Sequence, residues 1–178
     1  MSYEVVVRTY FSIQHIQSAI LFAKLAKNLE TDYSNKLSEI EPKDRSGISA
    51  QHFAFVTNAI FSSVCFLEAT INELFCDAFD KNYNERLIPL GESTIDLMKD
   101  LWERGIPRTA SYSVLEKYQI ALVEANKSIF DIGSTPFQDI YLLIKLRNAL
   151  MHFELEAVSS LNMERHGDRC TVSLKLTN

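Results

Sequence analysis

The 178 residues suit one domain with a sizeable core, and the hydrophobic and charged fractions, 47% and 23%, are ordinary for a soluble globular protein. The formal net charge of −5 argues against strong non-specific attachment to a nucleic-acid backbone, which comes mainly from clustered Lys and Arg. No apolar run reaches the ~18 residues of a membrane span, and Met1-Ser2-Tyr3-Glu4 lacks the basic segment of a secretory signal, so no membrane association or export is expected and the cytoplasm is the expected compartment.

Taken in order, Val5 to Leu29 is the first helical segment. Tyr10, Ile13, Ile16, Ile20, Ala23, Leu25 and Leu29 recur mostly at three and four, with Gln14, Gln17, Lys24 and Lys27 between them, the pattern of an amphipathic helix with one wet face. The β-branched Val5-Val6-Val7 is able to start as a short strand, and His15, among Gln and Ser, reads as a solvent-facing residue. Asn35 to Gly47 ends in Glu41-Pro42-Lys43-Asp44-Arg45-Ser46-Gly47 and reads as a charged loop that breaks the helical pattern.

The longest helix is predicted from Ser49 to about Phe79. Phe53, Val56, Ile60, Val64, Leu67, Ile71, Leu74 and Ala78 form one row, and Phe61, Cys65, Glu68, Asn72, Phe75 and Phe79 form a second beside it, so the helix must be sandwiched. Glu68 and Asn72 are intruders in that second row. A carboxylate between Cys65 and Phe75 needs a cationic partner, and Arg147 is the candidate. His52, at the helix start, reads as exposed. Cys65 and Cys76 on this helix would lie about 16 Å apart, beyond disulfide reach; with Cys170 they read as reduced thiols, and no metal site or cofactor is proposed.

Lys81 to Ser93 is turn-rich, with Ser93 as the expected N-cap of a helix from Thr94 to Arg104 that turns Ile95, Met98, Leu101 and Trp102 inward and is stopped by Gly105-Ile106-Pro107. Ser113 to Ser128 is the next helix, with Val114, Leu115, Tyr118, Ala121, Leu122 and Ala125 inward, and Phe130 to Ser134 loops into the last. There Thr135 is the expected N-cap, Pro136 the first helical residue, Gln138 the partner in a capping box and Asp139 an anion at the positive end of the dipole. Phe137, Tyr141 and Ile144 make one apolar stripe and Leu143, Leu146, Leu150 and Phe153 another, so this helix is expected to be central.

Within that apolar helix Arg147, Asn148 and His152 fall inside six residues. Burying such groups unpaired costs several kcal/mol each, so they are paired, exposed in a cleft, or used. The plain reading is a buried ion pair and a satisfied core imidazole. The functional one notes that Asn148 and His152 share a face and that the long Arg147 stem swings toward them, so that three polar heads converge on one small volume.

Arg147, Asn148 and His152 spell Arg-Asn-x-x-x-His, and in this the chain resembles the HEPN superfamily (higher eukaryotes and prokaryotes nucleotide-binding domains). The approach Pro136-Phe137-Gln138-Asp139 to Leu146, and Phe66 to Leu74 on the facing helix, are similar to HEPN helices; the likeness covers roughly residues 49 to 157. It implies an all-α, HEPN-like bundle of about five helices and, in active members, a metal-independent endoribonuclease whose ribose 2′-hydroxyl attacks the adjacent phosphate to leave a cyclic phosphate. His152 would move protons, Arg147 clamp the phosphoryl oxygens, and Asn148 orient the imidazole or donate to phosphate, with Glu68 and Asn72 supporting. It also implies a homodimer that joins two motifs across a two-fold axis, RNA or a nucleotide as ligand, and a toxin or defence role with an antitoxin as partner. One HEPN group carries a Tyr two residues after the His, the target of a nucleotidyltransferase antitoxin; Glu154 stands there instead, so that mode of regulation is not expected.

After Glu156 the pattern changes. Cys170 to Thr177 alternates strictly, as a half-buried strand does, and His166-Gly167-Asp168 is suited to turn a hairpin back toward Ala157 to Met163. The expected organisation is one domain, 1–178, with its core at 49–157 and a C-terminal strand extension at 158–178. The competing functional reading is a non-catalytic HEPN-like helical protein for nucleotide sensing or protein–protein interaction, favoured by the acidic balance and by Lys145 being the only cation near the motif.

Overall fold

A computed structural model describes residues 9–34, 41–80, 85–106 and 112–152. Among these the fold is an all-α bundle of five helices: α1 (Phe11–Ser34), α2 (Pro42–Phe79), α3 (Glu92–Glu103), α4 (Val114–Glu124) and α5 (Thr135–Met151). The expected Val5–Val7 strand and C-terminal hairpin lie outside the described residues.

α2 is the common partner of the other four helices. Ile71, Phe75 and Ala78 recur at helical spacing and are buried against Leu87 of the following turn and Ile95 and Met98 of α3, while Leu74, Trp102, Tyr118 and Ala121 close around them. Burying such a side chain stabilises by about 1.5–3 kcal/mol, so this cluster fixes the half of the bundle in which α2, α3 and α4 meet. By length and composition alone Asp44–Phe79 is apolar enough to cross a membrane. Only 11% of its most apolar window is buried among the described residues, and the buried Asp77 lies near its C-terminal end.

The long helix begins at Pro42, not Ser49. Proline is well tolerated in the first turn, where no intrahelical donor is required, and Gly47 stands where a side chain would meet only open space. One interior glycine costs about 1 kcal/mol, which a helix of 38 residues packed against α1 absorbs. α1 runs antiparallel to it: Ser12 reaches Glu73, Phe22 lies by Phe55 with ring centroids 6.3 Å apart, and Glu30 meets His52 at 2.9 Å. α1 therefore extends past Leu29 to Ser34, because α2 offers a partner over that length.

The caps explain the remaining boundaries. Gly91 rather than Ser93 precedes α3, and its carbonyl accepts from Thr94 and Ile95. The turn that stops α3 is at Gly105 as expected, with a φ of 78° that favours a residue without Cβ; Ile106 N–H returns to Leu101 O at 3.1 Å. Ser113 caps α4 in a full capping box with Glu116. α4 stops at Glu124, short of Ser128, because Asn126 takes a left-handed φ of 51° and Lys127 N–H closes on Leu122 O at 2.8 Å. At α5 the N-cap is Ser134, not Thr135, and Gln138 donates to Ile132 O instead of closing a capping box.

The expectation that α5 is central fails. No residue of α5 is fully buried. Its half-buried stripe is Phe137, Ile140, Leu143, Ile144, Arg147 and Leu150, whereas Tyr141, Leu142, Leu146 and Met151 are 42–60% exposed. An all-round apolar helix can be central or can lie at an edge with one apolar face uncovered, and periodicity does not separate the two.

Candidate functional site

Glu68 and Asn72 stand one turn apart on α2, and α4 and α5 each bring a cation to them. Lys117 of α4 is buried, 3% exposed, with Nζ 3.4 Å from both Glu68 Oε1 and Asn72 Oδ1. Arg147 of α5 lies across the other carboxylate oxygen, Nη2 to Glu68 Oε2 3.9 Å. The expected Glu68–Arg147 partnership thus exists, but as a Coulombic contact: charge-assisted hydrogen bonds run about 2.7–2.9 Å.

The Arg147 guanidinium has few acceptors. Its Nη1 points at the thioether of Met151, 3.7 Å away, and its Nε is buried with no hydrogen-bond partner. A guanidinium offers five N–H donors in a planar fork and sulfur is a weak acceptor. Two cations thus share one carboxylate, and among the described residues no oxygen lies within hydrogen-bonding distance of Arg147. The arrangement has donors and positive charge left over.

α4 is held in register by Tyr118, whose hydroxyl donates to Leu67 O at 2.9 Å, the residue before Glu68. Burial pushes that phenol above its ordinary range, and a hydrogen bond with Thr70 opposes this only in part. The Ser113–Glu116 capping box fixes the first turn of the same helix, so Lys117 enters the interface from a rigid element.

The other motif residues sit elsewhere on α5. Asn148 is exposed, and His152 is exposed at the C-cap with φ −109° and ψ 39°, its N–H on Asn148 O at 2.9 Å. The helix ends at Met151, so the imidazole leaves from a turn and not from a continuing helical face. The structure brings together Glu68, Asn72 and Arg147 from the candidate residues and adds Lys117. It joins neither Asn148 nor His152 to them by a hydrogen bond.

Lys117 carried a readable signal. With Val114 and Ala121 it continues the three-and-four spacing of the inward stripe of α4, and a lysine on such a stripe needs a counter-charge, which Glu68 supplies although its own side chain, expected between apolar neighbours, is 44% exposed.

A second polar cluster lies further along α2. Glu73 accepts from Ser12 N–H and Arg86 Nη1, each at 2.9 Å, and from Ser12 Oγ. Arg86 also donates to Ser12 Oγ at 3.3 Å and lies 4.5 Å over the Tyr10 ring, whose hydroxyl donates to the buried Asp77 at 3.1 Å. Burial alone would raise the Glu73 carboxyl, but the Ser12 hydrogen bonds and the Arg86 guanidinium hold it below the ordinary carboxylate range. Glu73 thereby caps the N-terminus of α1 from another helix. A separate groove of about 410 Å³ at the far end of α1 and α2, lined by Leu29, Tyr33, Ile48 and His52 among others, contains no motif residue.

No family model, no curated protein and no solved structure matches the chain.

Proposed function

We propose that the protein is a metal-independent, HEPN-type endoribonuclease that works as a homodimer, with α5 at the interface. The observation that carries this reading is Arg147: a half-buried guanidinium with no oxygen acceptor in hydrogen-bonding range among the described residues, on the same helix end as a solvent-exposed His152. That pairing of a planar cation with donors to spare and an exposed imidazole able to donate or accept a proton suits a phosphodiester.

In the proposed reaction one His152 removes the proton from the ribose 2′-hydroxyl. That oxygen attacks the adjacent phosphorus, the bond to the 5′-oxygen breaks, and the His152 of the second copy protonates the leaving oxygen. The products are a cyclic phosphate and a free 5′-hydroxyl. Arg147 neutralises the phosphoryl oxygens as charge builds on them, and Asn148 orients the imidazole or donates to the phosphate. The exposed apolar residues Leu142 and Leu146, one turn apart on α5 and uncovered among the described residues, support the dimer, since exposed apolar surface marks an interaction site and a two-fold axis there would bring both motifs to one cleft. A toxin or defence role, with an antitoxin as partner, follows from the resemblance.

The test is incubation with mixed-sequence RNA in EDTA beside His152→Ala. The expected result is cleavage by the parent that survives chelation, leaves cyclic phosphate ends and disappears in the variant. An inert parent that is monomeric in solution overturns the reading. The net charge of −5 and the burial of Lys117 away from any ligand favour a second reading, a non-catalytic HEPN-like protein for nucleotide sensing or protein contact. An inert parent that still dimerises supports it.

A further inference from the structure

The acceptors around Glu68 are divided between two cations, and the division gives Lys117 a task that its burial alone does not explain. Lys117 Nζ takes Glu68 Oε1 and Asn72 Oδ1, leaving Oε2 to Arg147 at the longer distance of 3.9 Å. Remove Lys117 and the carboxylate faces a single guanidinium on a flexible stem. Such a pair closes into the bidentate fork at about 2.8 Å, which ties up two of the guanidinium's donors and its charge. With Lys117 present, Arg147 keeps its Nε unpaired and its Nη1 on a thioether.

We infer that Lys117 is a positioning residue for Arg147: by neutralising Glu68 and engaging Asn72 it prevents the guanidinium from closing on the carboxylate and holds it open to a phosphodiester. This rests on the RNA-cleaving reading above. Lys117 does not touch the ligand, since its ammonium is enclosed between α2 and α4. Its effect passes through the charge of Glu68. It follows that Lys117 affects ligand binding only while residue 68 is a carboxylate; a purely structural ion pair shows that coupling in stability and leaves binding by the folded protein unchanged.

The probe is a fluorescent, mixed-sequence 2′-O-methyl oligoribonucleotide, which keeps the phosphodiesters and lacks the nucleophile, followed by anisotropy. Lys117→Met is expected to weaken binding about ten-fold, the scale of one lost charge-assisted contact. Lys117→Arg is expected to retain it. Adding Glu68→Gln to Lys117→Met is expected to recover most of the loss, because no carboxylate remains to capture Arg147. Should Lys117→Met fail to fold by circular dichroism, Glu68→Gln with and without Lys117→Met makes the same comparison, and the two are expected to bind alike. A double variant no better than the single, or a Lys117 effect that persists without Glu68, overturns the inference. Cleavage of ordinary RNA in EDTA is measured in parallel. A parent that binds in a Lys117-dependent way without cutting keeps the inference and removes the ribonuclease. A parent that cuts while Lys117→Met binds normally does the reverse, and a parent that does neither overturns both.

Discussion

Arg86 and Arg147 lie against the same helix, and each faces a glutamate on it five residues from the other's. Arg86 is satisfied: Nη1 on Glu73 at 2.9 Å, Nη2 on Ser12 Oγ at 3.3 Å, and its plane 4.5 Å over Tyr10. Arg147 stands 3.9 Å from Glu68, with a thioether as its remaining acceptor. Both are always charged. The difference lies in what else claims the carboxylate. Ser12 brings neutral donors to Glu73, which leaves its charge for Arg86, whereas Lys117 brings a second cation to Glu68 and leaves Arg147 without a full counter-charge. The first arginine closes the fold, and the second keeps donors that, on the proposed reading, meet a ligand.

The widest gap between them should appear on Arg147→Ala, expected to lower RNA cleavage by about 10²–10³-fold, the scale of losing one preorganised group at a developing charge. Its melting temperature should stay at that of the parent, since Lys117 still neutralises Glu68. Paired kinetics and melting curves check this; a large fall in melting temperature with cleavage intact would reverse the roles assigned to the two arginines.

The next effect sharpens the contrast at the level of assembly. Leu142→Glu or Leu146→Glu places a charge on a face of α5 that is uncovered among the described residues, and sedimentation should then show monomers, with cleavage lost, where the parent is expected to sediment as a dimer. Charges at Ile88, which is 73% exposed and outside that face, should leave both unchanged.

Arg86→Ala should do the opposite of Arg147→Ala. It leaves the Glu73 carboxylate half-buried with only Ser12 as partner, a cost of about 2–3 kcal/mol. For a domain of this size that corresponds to roughly 5–10 °C in melting temperature. Cleavage per folded molecule should be unaltered.

The smallest effect is a pH dependence. The folded-state carboxyl of Glu73 lies below its ordinary value, against the pull of burial, because Ser12 and Arg86 bond its charged form. A depressed carboxylate contributes stability that is present above its unfolded pKa and is lost as pH falls through the folded one. Glu73→Gln should therefore melt lower than the parent at neutral pH, with the two curves converging on acidification. Parallel curves down to the acid limb would show that Glu73 acts through packing and not charge.

The Glu68–Arg147 partnership was legible because both residues interrupt apolar rows, and the half-buried guanidinium meets the carboxylate although Glu68 itself is 44% exposed. Lys117 obeys the same rule and was passed over in a helix that is apolar on several sides. The Glu73–Ser12–Arg86 cluster had no such signature. Serine is common at any helix start, and the donor of the cap comes from 61 residues away in sequence. Helix ends were legible where a residue must adopt φ > 0, as at Gly105, and less so at Pro42 and Gly47, since both residue types punctuate loops as readily as they enter a long helix.

By itself the amino-acid order determined that the described residues form an all-α protein, that α2 is its longest helix and that a carboxylate in that helix needs a cation. Three-and-four spacing and unpaired charge act locally, and the chain cannot satisfy them in many ways. Only the tertiary structure decided which helix is central and, among the described residues, which apolar face stays uncovered and which of two arginines keeps its donors open. Those depend on how many partners converge on one group, a sum over segments distant in sequence.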